Sequence, residues 1–298
     1  MTPQLAFDRY EAICNRLPRP IGNPGLGQRI SSLAEMSEHA DVFVFDAFGV
    51  LNVGETPIPG AADRVKQLRQ AGKQVFVLTN AASYSHAQSC AKFLGLGFDF
   101  APEEIVSSRD VCEQHLGLFQ MVTKWGVIAP TSCDISSLPA PACHLDDSAA
   151  PYDQVSGFLF LSAQDWTAQR QAQLIQSLRR NPRPVVVANP DLVAPREHGL
   201  SLEPGFFAHA LQDELGTDVQ FHGKPFPSVY QEIAARVPHV PAHRITMVGD
   251  TLHTDILGAQ ANGWRSVLVS DHGVYANLPF ESFIDTSGLV PDWITPSI

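Results

Sequence analysis

The stretch Asp41-Val42-Phe43-Val44-Phe45-Asp46-Ala47-Phe48-Gly49-Val50-Leu51 restricts what this chain can fold into more tightly than any other. Val42 to Phe45 form an unbroken β-favouring apolar run, the pattern of a strand buried on both faces of a parallel sheet. A carboxylate, Asp46, stands at its end. Open α/β sheets bind ligands just beyond the carboxyl ends of their strands, so Asp46 is expected at the mouth of a site. Gly49 then lets the backbone turn sharply close to a ligand. Taken alone, the stretch also reads as a strand followed by an Asp that caps a turn.

Two later stretches repeat the pattern, and a third adds a charge. Gln74-Val75-Phe76-Val77-Leu78-Thr79-Asn80 ends in a hydroxyl and an amide, and Arg244-Ile245-Thr246-Met247-Val248-Gly249-Asp250 ends in a carboxylate, with Asp255 close behind. Between them Gly223-Lys224-Pro225 places an ammonium on a loop. The turn-rich loop from Asn52 to Gly60 leads into a helix stopped by Gly72, which completes a βαβ unit. A further helix starts near Ser83 as N-cap, and the last sheet strand is expected at Ser266 to Ser270.

The middle of the chain changes character. Strands are expected at Trp125 to Ala129, Val155 to Leu161 and Val185 to Ala188, with helices at Asp165 to Arg180 and Gly205 to Leu215. Thr131 to Pro151 reads as a mobile loop. This organisation predicts an N-terminal extension (1–40) lying on the core, with helices at Tyr10 to Leu17 and Gln28 to Glu38. A core domain comes from 41–115 and 218–298, and a smaller α/β domain from 116–217. At 298 residues, 44% hydrophobic and 17% charged, the chain can bury two cores.

Composition excludes several functions. Twenty Lys and Arg against 31 Asp and Glu give a net charge of −11, which repels a nucleic-acid backbone. The five cysteines form no CxxC pair and their odd number suits no closed disulfide framework, so reduced thiols in the cytoplasm are expected. The first twenty residues carry Asp8, Glu11 and Pro18 and lack a basic start with an apolar core, so no secretory leader is expected. No apolar run is long enough to cross a bilayer, and no membrane partner follows.

If the strands ending in Asp46, Thr79 and Asp250 are neighbours, their ends converge with Lys224 on one crevice. Asp46 and Asp250 offer hard oxygen ligands of the kind Mg²⁺ takes, while Thr79 and Lys224 can hold phosphoryl oxygens. A free oxygen of Asp46 could then attack phosphorus and form an aspartyl phosphate. His222 and His253 flank the set and are alternative proton carriers, although solvated loop histidines would look the same. His198 could reach substrate from the second domain. Trp125 and Trp166 read as packing, and Lys73 and Lys92 as solvated charges near helix ends.

These motifs resemble the haloacid dehalogenase (HAD) superfamily, class IIA, in which an α/β cap is inserted into a Rossmannoid parallel-sheet core. The resemblance rests on Asp46-Ala47-Phe48-Gly49-Val50-Leu51, Val77-Leu78-Thr79-Asn80, Gly223-Lys224-Pro225 and Gly249-Asp250-Thr251-Leu252-His253-Thr254-Asp255. It is supported by Pro59-Gly60-Ala61, Ala188-Asn189-Pro190-Asp191 and Glu203-Pro204-Gly205. It implies a phosphatase acting on a small phosphorylated metabolite. Asp46 would be nucleophile and Mg²⁺ ligand, with the backbone carbonyl of Phe48 and the side chain of Asp250 as further ligands. Thr79 and the Asn80 backbone would bind phosphate. Lys224 would bridge nucleophile and phosphate, and Asp255 would steady Lys224 or the ion's water. Asn189 and Asp191 would face substrate from the cap. Caps of similar proteins often pair, which leaves a homodimer open.

One position departs from the resemblance. Phosphatases of this superfamily carry a second Asp two residues after the nucleophile as general acid and base, and here that residue is Phe48. Acid–base catalysis typically contributes about 10² to 10⁴ in rate, so slow turnover or leaving groups that need no proton are expected. Two alternatives stay open: a silent scaffold that binds a phosphorylated ligand or partner, and a dehalogenase, since haloacid dehalogenases carry an aromatic here; against the latter, those enzymes need no metal and would leave Asp250 and Asp255 with little to do.

Overall fold

The computed structural model describes residues 1–196 and 199–298, so His198 lies outside the described residues. Its main sheet has seven parallel strands. Their order across the sheet is Gln28–Arg29, Trp293–Thr295, Arg265–Val269, Ile245–Gly249, Val42–Phe45, Gln74–Thr79 and Ile105–Ser107. The Val42–Phe45 strand is central, with Val42 opposite Ile245 on one side and Gln74 on the other. All four of its residues are buried, as the continuous apolar run requires. Phe43 and Phe45 pack on one face with Val65, Leu68 and Phe93. Val42 and Val44 pack on the other with Val229, Tyr230 and Ile233. Burying a side chain of this kind is worth about 1.5–3 kcal/mol, so both faces anchor the strand whose end carries Asp46.

The second sheet is also parallel, in the order Gln220–Phe221, Val185–Val187, Gly157–Phe160, Trp125–Ile128 and Ala142–His144. One face is covered by the helices Ala168–Arg180 and Pro204–Leu215 through Leu174, Leu178, Ala208 and Leu211. The opposite face turns Val127 and Val186 toward Ala82, Cys112 and Leu116 of the core. The second domain therefore sits as a cap over the carboxyl ends of the core strands. An antiparallel ribbon, Val193–Arg196 against Gly199–Leu202, reaches from it, and Val193 joins an apolar cluster with Tyr10 and Leu252.

Several local expectations are corrected. Residues 28–38 are not a helix: Gln28–Arg29 is an edge strand bonded to Trp293–Thr295, and a 3₁₀ helix follows at Leu33–His39. The first helix is Pro3–Ala12, capped by the Thr2 hydroxyl, and breaks into a 3₁₀ turn at Cys14–Arg16. Ser266–Ser270 is not the last strand, because Trp293–Thr295 pairs outside it. Ser85, not Ser83, caps the helix His86–Gly95, in a reciprocal capping box with Gln88. The loop read at 131–151 carries the strand Ala142–His144 and a helical turn, Ala150–Asp153. Gln220–Phe221 pairs with Val186 and Val187, so the cap sheet runs past the boundary expected at 217.

Candidate active site

Three adjacent parallel strands end side by side, which is why Asp46, Thr79 and Asp250 meet. Lys224 arrives from the loop after the cap. Its ammonium is buried and lies 2.6 Å from Asp46 Oδ1 and 2.7 Å from Asp255 Oδ1. Carboxylate oxygens of Asp46, Asp250 and Asp255 all lie within 4.8 Å of one another. Asp46 Oδ1 also accepts the Ala47 N–H at 2.7 Å. Asp250 accepts from the Val274 N–H at 2.8 Å and from the Thr251 hydroxyl at 3.0 Å. Asp255 takes the Thr251 N–H at 3.1 Å, so it both anchors the turn and holds Lys224. Gly49 has φ near +76°, and a Cβ there would stand 2.7 Å from Asp250 Oδ2. Only glycine satisfies both demands without displacing a carboxylate.

The electrostatics favour a cation. Burial, then Asp255 and Asp46, push the Asp250 carboxyl well above the usual carboxylate range. Burial raises Asp46 to about 7 against the opposing pull of Lys224. Burial works against the Lys224 ammonium, yet Asp255, Asp46 and Asp191 carry it above its ordinary value. Three buried acid groups thus stand beside one ammonium, a surplus of acids over cations. Oxygen donors at that spacing with that surplus fit a divalent ion such as Mg²⁺.

Asn80 ties the end of the Gln74–Thr79 strand to the cap. Its amide nitrogen donates to Asp191 Oδ1 at 2.8 Å and to the Lys224 carbonyl at 3.0 Å, while its oxygen accepts the Lys224 N–H at 2.8 Å. Thr79 is buried, with its oxygen accepting the Ala81 N–H at 3.1 Å. Asn189 accepts the Asp191 N–H at 3.0 Å and donates to Glu203 at 3.2 Å, bonds that fix the cap loop, and it borders the cleft between core and cap.

Two cavities adjoin this cluster. A small chamber of about 30 Å³ is bordered by Asp46, Thr79, Asp250, Asp191 and Tyr10. A cleft of about 640 Å³ between core and cap is bordered by Glu55, Tyr84, Gln164, Trp166, Arg196 and Glu203, among others. Phe48 borders both. Its ring lies between the Lys92 ammonium at 4.8 Å and the Arg196 guanidinium at 5.2 Å, and Arg196 is itself paired with Glu203 at 2.7 Å. Lys92 is therefore no solvated charge: it is largely buried against Phe48 and Tyr84 and paired with Glu55 at 3.0 Å.

Neither histidine reaches the reacting space. His222 packs on His115 at the return from the cap, and burial followed by the neighbouring ring lowers it to about 4. His253 is stacked on Tyr10 and bonded to Glu11 at 2.6 Å, and burial lowers it. Trp125 is buried packing as expected, whereas Trp166 borders the cleft while its Nε1 donates to Gln171. Residues that sequence reasoning missed are Tyr10, Arg196 and the cation pair around Phe48. Tyr10 comes from the N-terminal helix, and its oxygen accepts the Leu192 N–H at 3.0 Å. No motif spacing announces any of them.

Comparison with known proteins agrees with this geometry. A family model described as haloacid dehalogenase-like hydrolase matches residues 43–133, and a HAD-hydrolase-like model matches 221–295. A D-glycerol 3-phosphate phosphatase of Mycobacterium tuberculosis is 30% identical over 242 residues, 80% of this chain and 65% of that protein. A 4-nitrophenylphosphatase of Schizosaccharomyces pombe is 25% identical, covering 92% of this chain and 98% of that one. Among solved structures, a Cytophaga hutchinsonii protein described as a possible sugar phosphatase of the HAD superfamily has a TM-score of 0.78. It is 25% identical and covers 91% of this chain and 98% of that one.

Proposed function

Because this chain belongs to the haloacid dehalogenase-like hydrolases, we propose that it is a Mg²⁺-dependent phosphatase. Its substrate would be a small phosphorylated metabolite, attacked through an aspartyl phosphate at Asp46. The observation that carries this reading is the cluster of Asp46, Asp250, Asp255 and Lys224, opening through a small chamber into a cleft of about 640 Å³. That volume suits a small organic molecule. A metal-free dehalogenase would leave the surplus acids without a task.

Asp46, Asp250 and the Phe48 carbonyl would hold Mg²⁺, which when bound supplies positive charge beside the phosphoryl oxygens. Asp46 Oδ1 is held by Lys224 and the Ala47 N–H, which directs Oδ2 to the reaction. That oxygen attacks phosphorus in line with the departing group. Lys224, Thr79 and the Asn80 backbone steady the phosphoryl oxygens, and the cap limits access of water. Phe48 offers no proton. Turnover is therefore slow for poor leaving groups unless another side chain supplies one.

The test is a phosphate-release screen over sugar, nucleotide, cofactor and acyl phosphates, with and without Mg²⁺. Release that needs both Mg²⁺ and Asp46, and is lost in Asp46→Asn, is expected. Chloride release from 2-chloropropionate without metal would indicate the dehalogenase. Tight binding of phosphorylated compounds with no release from any of them would indicate the silent scaffold.

A further inference from the structure

The chamber and the cleft divide the substrate between them. Phosphorus has to sit in the chamber, within reach of Asp46, and the organic part has to occupy the cleft. The bridging oxygen, which leaves with the organic part and needs a proton, must lie where the two spaces meet. Four residues border both spaces: Phe48, Ala81, Asp191 and Ala194. Of these only Asp191 can carry a proton.

The setting of Asp191 suits that task. Its Oδ1 accepts the Asn80 amide N–H at 2.8 Å, and its own N–H is held by Asn189 at 3.0 Å. Among the described residues no hydrogen bond reaches Oδ2, which is left to bear the proton. Burial raises the carboxyl to about 8. The charged and titratable groups facing it are Lys224, which opposes that rise, Asp46 and Asp255, which add to it, and the phenols of Tyr10 and Tyr230. The histidines that could compete are packed elsewhere.

The geometry points to Asp191 as the proton donor to the leaving oxygen, replacing from the cap the acid that Phe48 removes from the core. The assignment rests on the phosphatase reading above. As Asp46 bonds to phosphorus and the bond from phosphorus to the bridging oxygen breaks, the Asp191 carboxyl proton passes to that oxygen and the alcohol departs. The Asp191 carboxylate then takes a proton from the water that attacks phosphorus of the aspartyl phosphate. Inorganic phosphate leaves, and both carboxyl groups return to their starting states.

The test compares kcat/KM for a series running from 4-nitrophenyl phosphate to simple alkyl phosphates, in wild type, Asp191→Asn and Asp46→Asn, all with Mg²⁺. Asp191→Asn is expected to lose about 10² to 10⁴ on alkyl phosphates and less than about threefold on 4-nitrophenyl phosphate, whose leaving group needs no proton. The retained aryl turnover also reports that the variant is folded. In wild type, alkyl turnover should fall on the alkaline side while the aryl rate lacks that limb, a reading that needs no variant. Equal loss across the series, no loss, or an alkaline limb shared by both substrates would overturn the assignment. Phosphate release that persists in Asp46→Asn, or none from any member, would instead remove the phosphatase reading and this inference with it.

Discussion

Phe48 stands where the proposed reaction would use a proton carrier, and its ring is held by two cations. Lys92 and Arg196 lie over its faces at 4.8 and 5.2 Å, contacts worth about 0.5–2 kcal/mol each depending on solvation. A carboxylate placed there would share two cations that Glu55 and Glu203 already pair, and would stay ionised. Phe48→Asp is therefore expected to raise alkyl phosphate turnover by less than about 10², the lower end of what a positioned acid contributes, as steady-state kinetics would measure. A gain approaching 10⁴ would show that no other acid serves the site. Asp191 makes a prediction of its own. Its carboxyl is raised from an ordinary carboxylate value to about 8, so the folded protein holds a proton that the unfolded chain has released. The stability this confers is complete below the unfolded pKa and is lost as pH rises through about 8. In Asp191→Asn that dependence vanishes, so the wild-type minus variant difference in melting temperature should shrink steadily from pH 4 to pH 8 in metal-free buffer. The locations of Asp46, Thr79, Asn80, Lys224, Asp250 and Asp255 could be read from the sequence because each ends a strand or follows one in fixed order. Tyr10, Lys92 and Arg196 could not, because only tertiary contact brings them there.

At the scale of elements, the strands with continuous apolar runs were legible, since burial on both faces writes itself into composition. Gln28–Arg29 was not: two polar residues have no period, and only the partner strand makes them a strand. Ala142–His144 was hidden for a related reason, being only partly buried at the edge of the cap sheet within a Pro- and Ser-rich stretch. The N-terminal helix is more than a covering. Ala6, Phe7 and Tyr10 pack with Leu252 and Ile256 behind the fourth motif, and the Tyr10 oxygen takes the Leu192 N–H beside the Asp191 loop. Tyr10→Phe leaves that N–H buried without an acceptor, a cost of about 1–3 kcal/mol that urea denaturation would measure. The pairs that Arg9 and Arg16 make with Asp213 on the cap are part-exposed and should contribute far less.

Across the whole molecule, the cluster of Asp46, Asp250, Asp255 and Lys224 is expected to oppose folding when alone and to favour it when a cation binds. Three buried acids around one ammonium repel one another until a divalent ion enters. Added Mg²⁺ should therefore stabilise the protein by about 2.7 kcal/mol at a hundred times its dissociation constant, visible as a rise in melting temperature. Asp250→Asn should lose most of that increment while the metal-free melting temperature holds, because a carboxyl raised that far by burial keeps its proton when no ion is present. A metal response unchanged by Asp250→Asn would place the ion elsewhere. No described helix is long and apolar enough to cross a membrane, which agrees with the hydropathy reading and leaves location in the cell to other measurements.

The pairing of Gln28–Arg29 with Trp293–Ile294 joins residues 265 positions apart at one margin of the main sheet. A nascent chain emerging from the ribosome must hold residues 28–29 in waiting until residues 293–294 have been made. The strand that ends at Asp46 can meet its neighbour at Gln74–Thr79 long before then. Vectorial synthesis would thus assemble this sheet from its middle outward, and the margin formed by the first and last strands would close last.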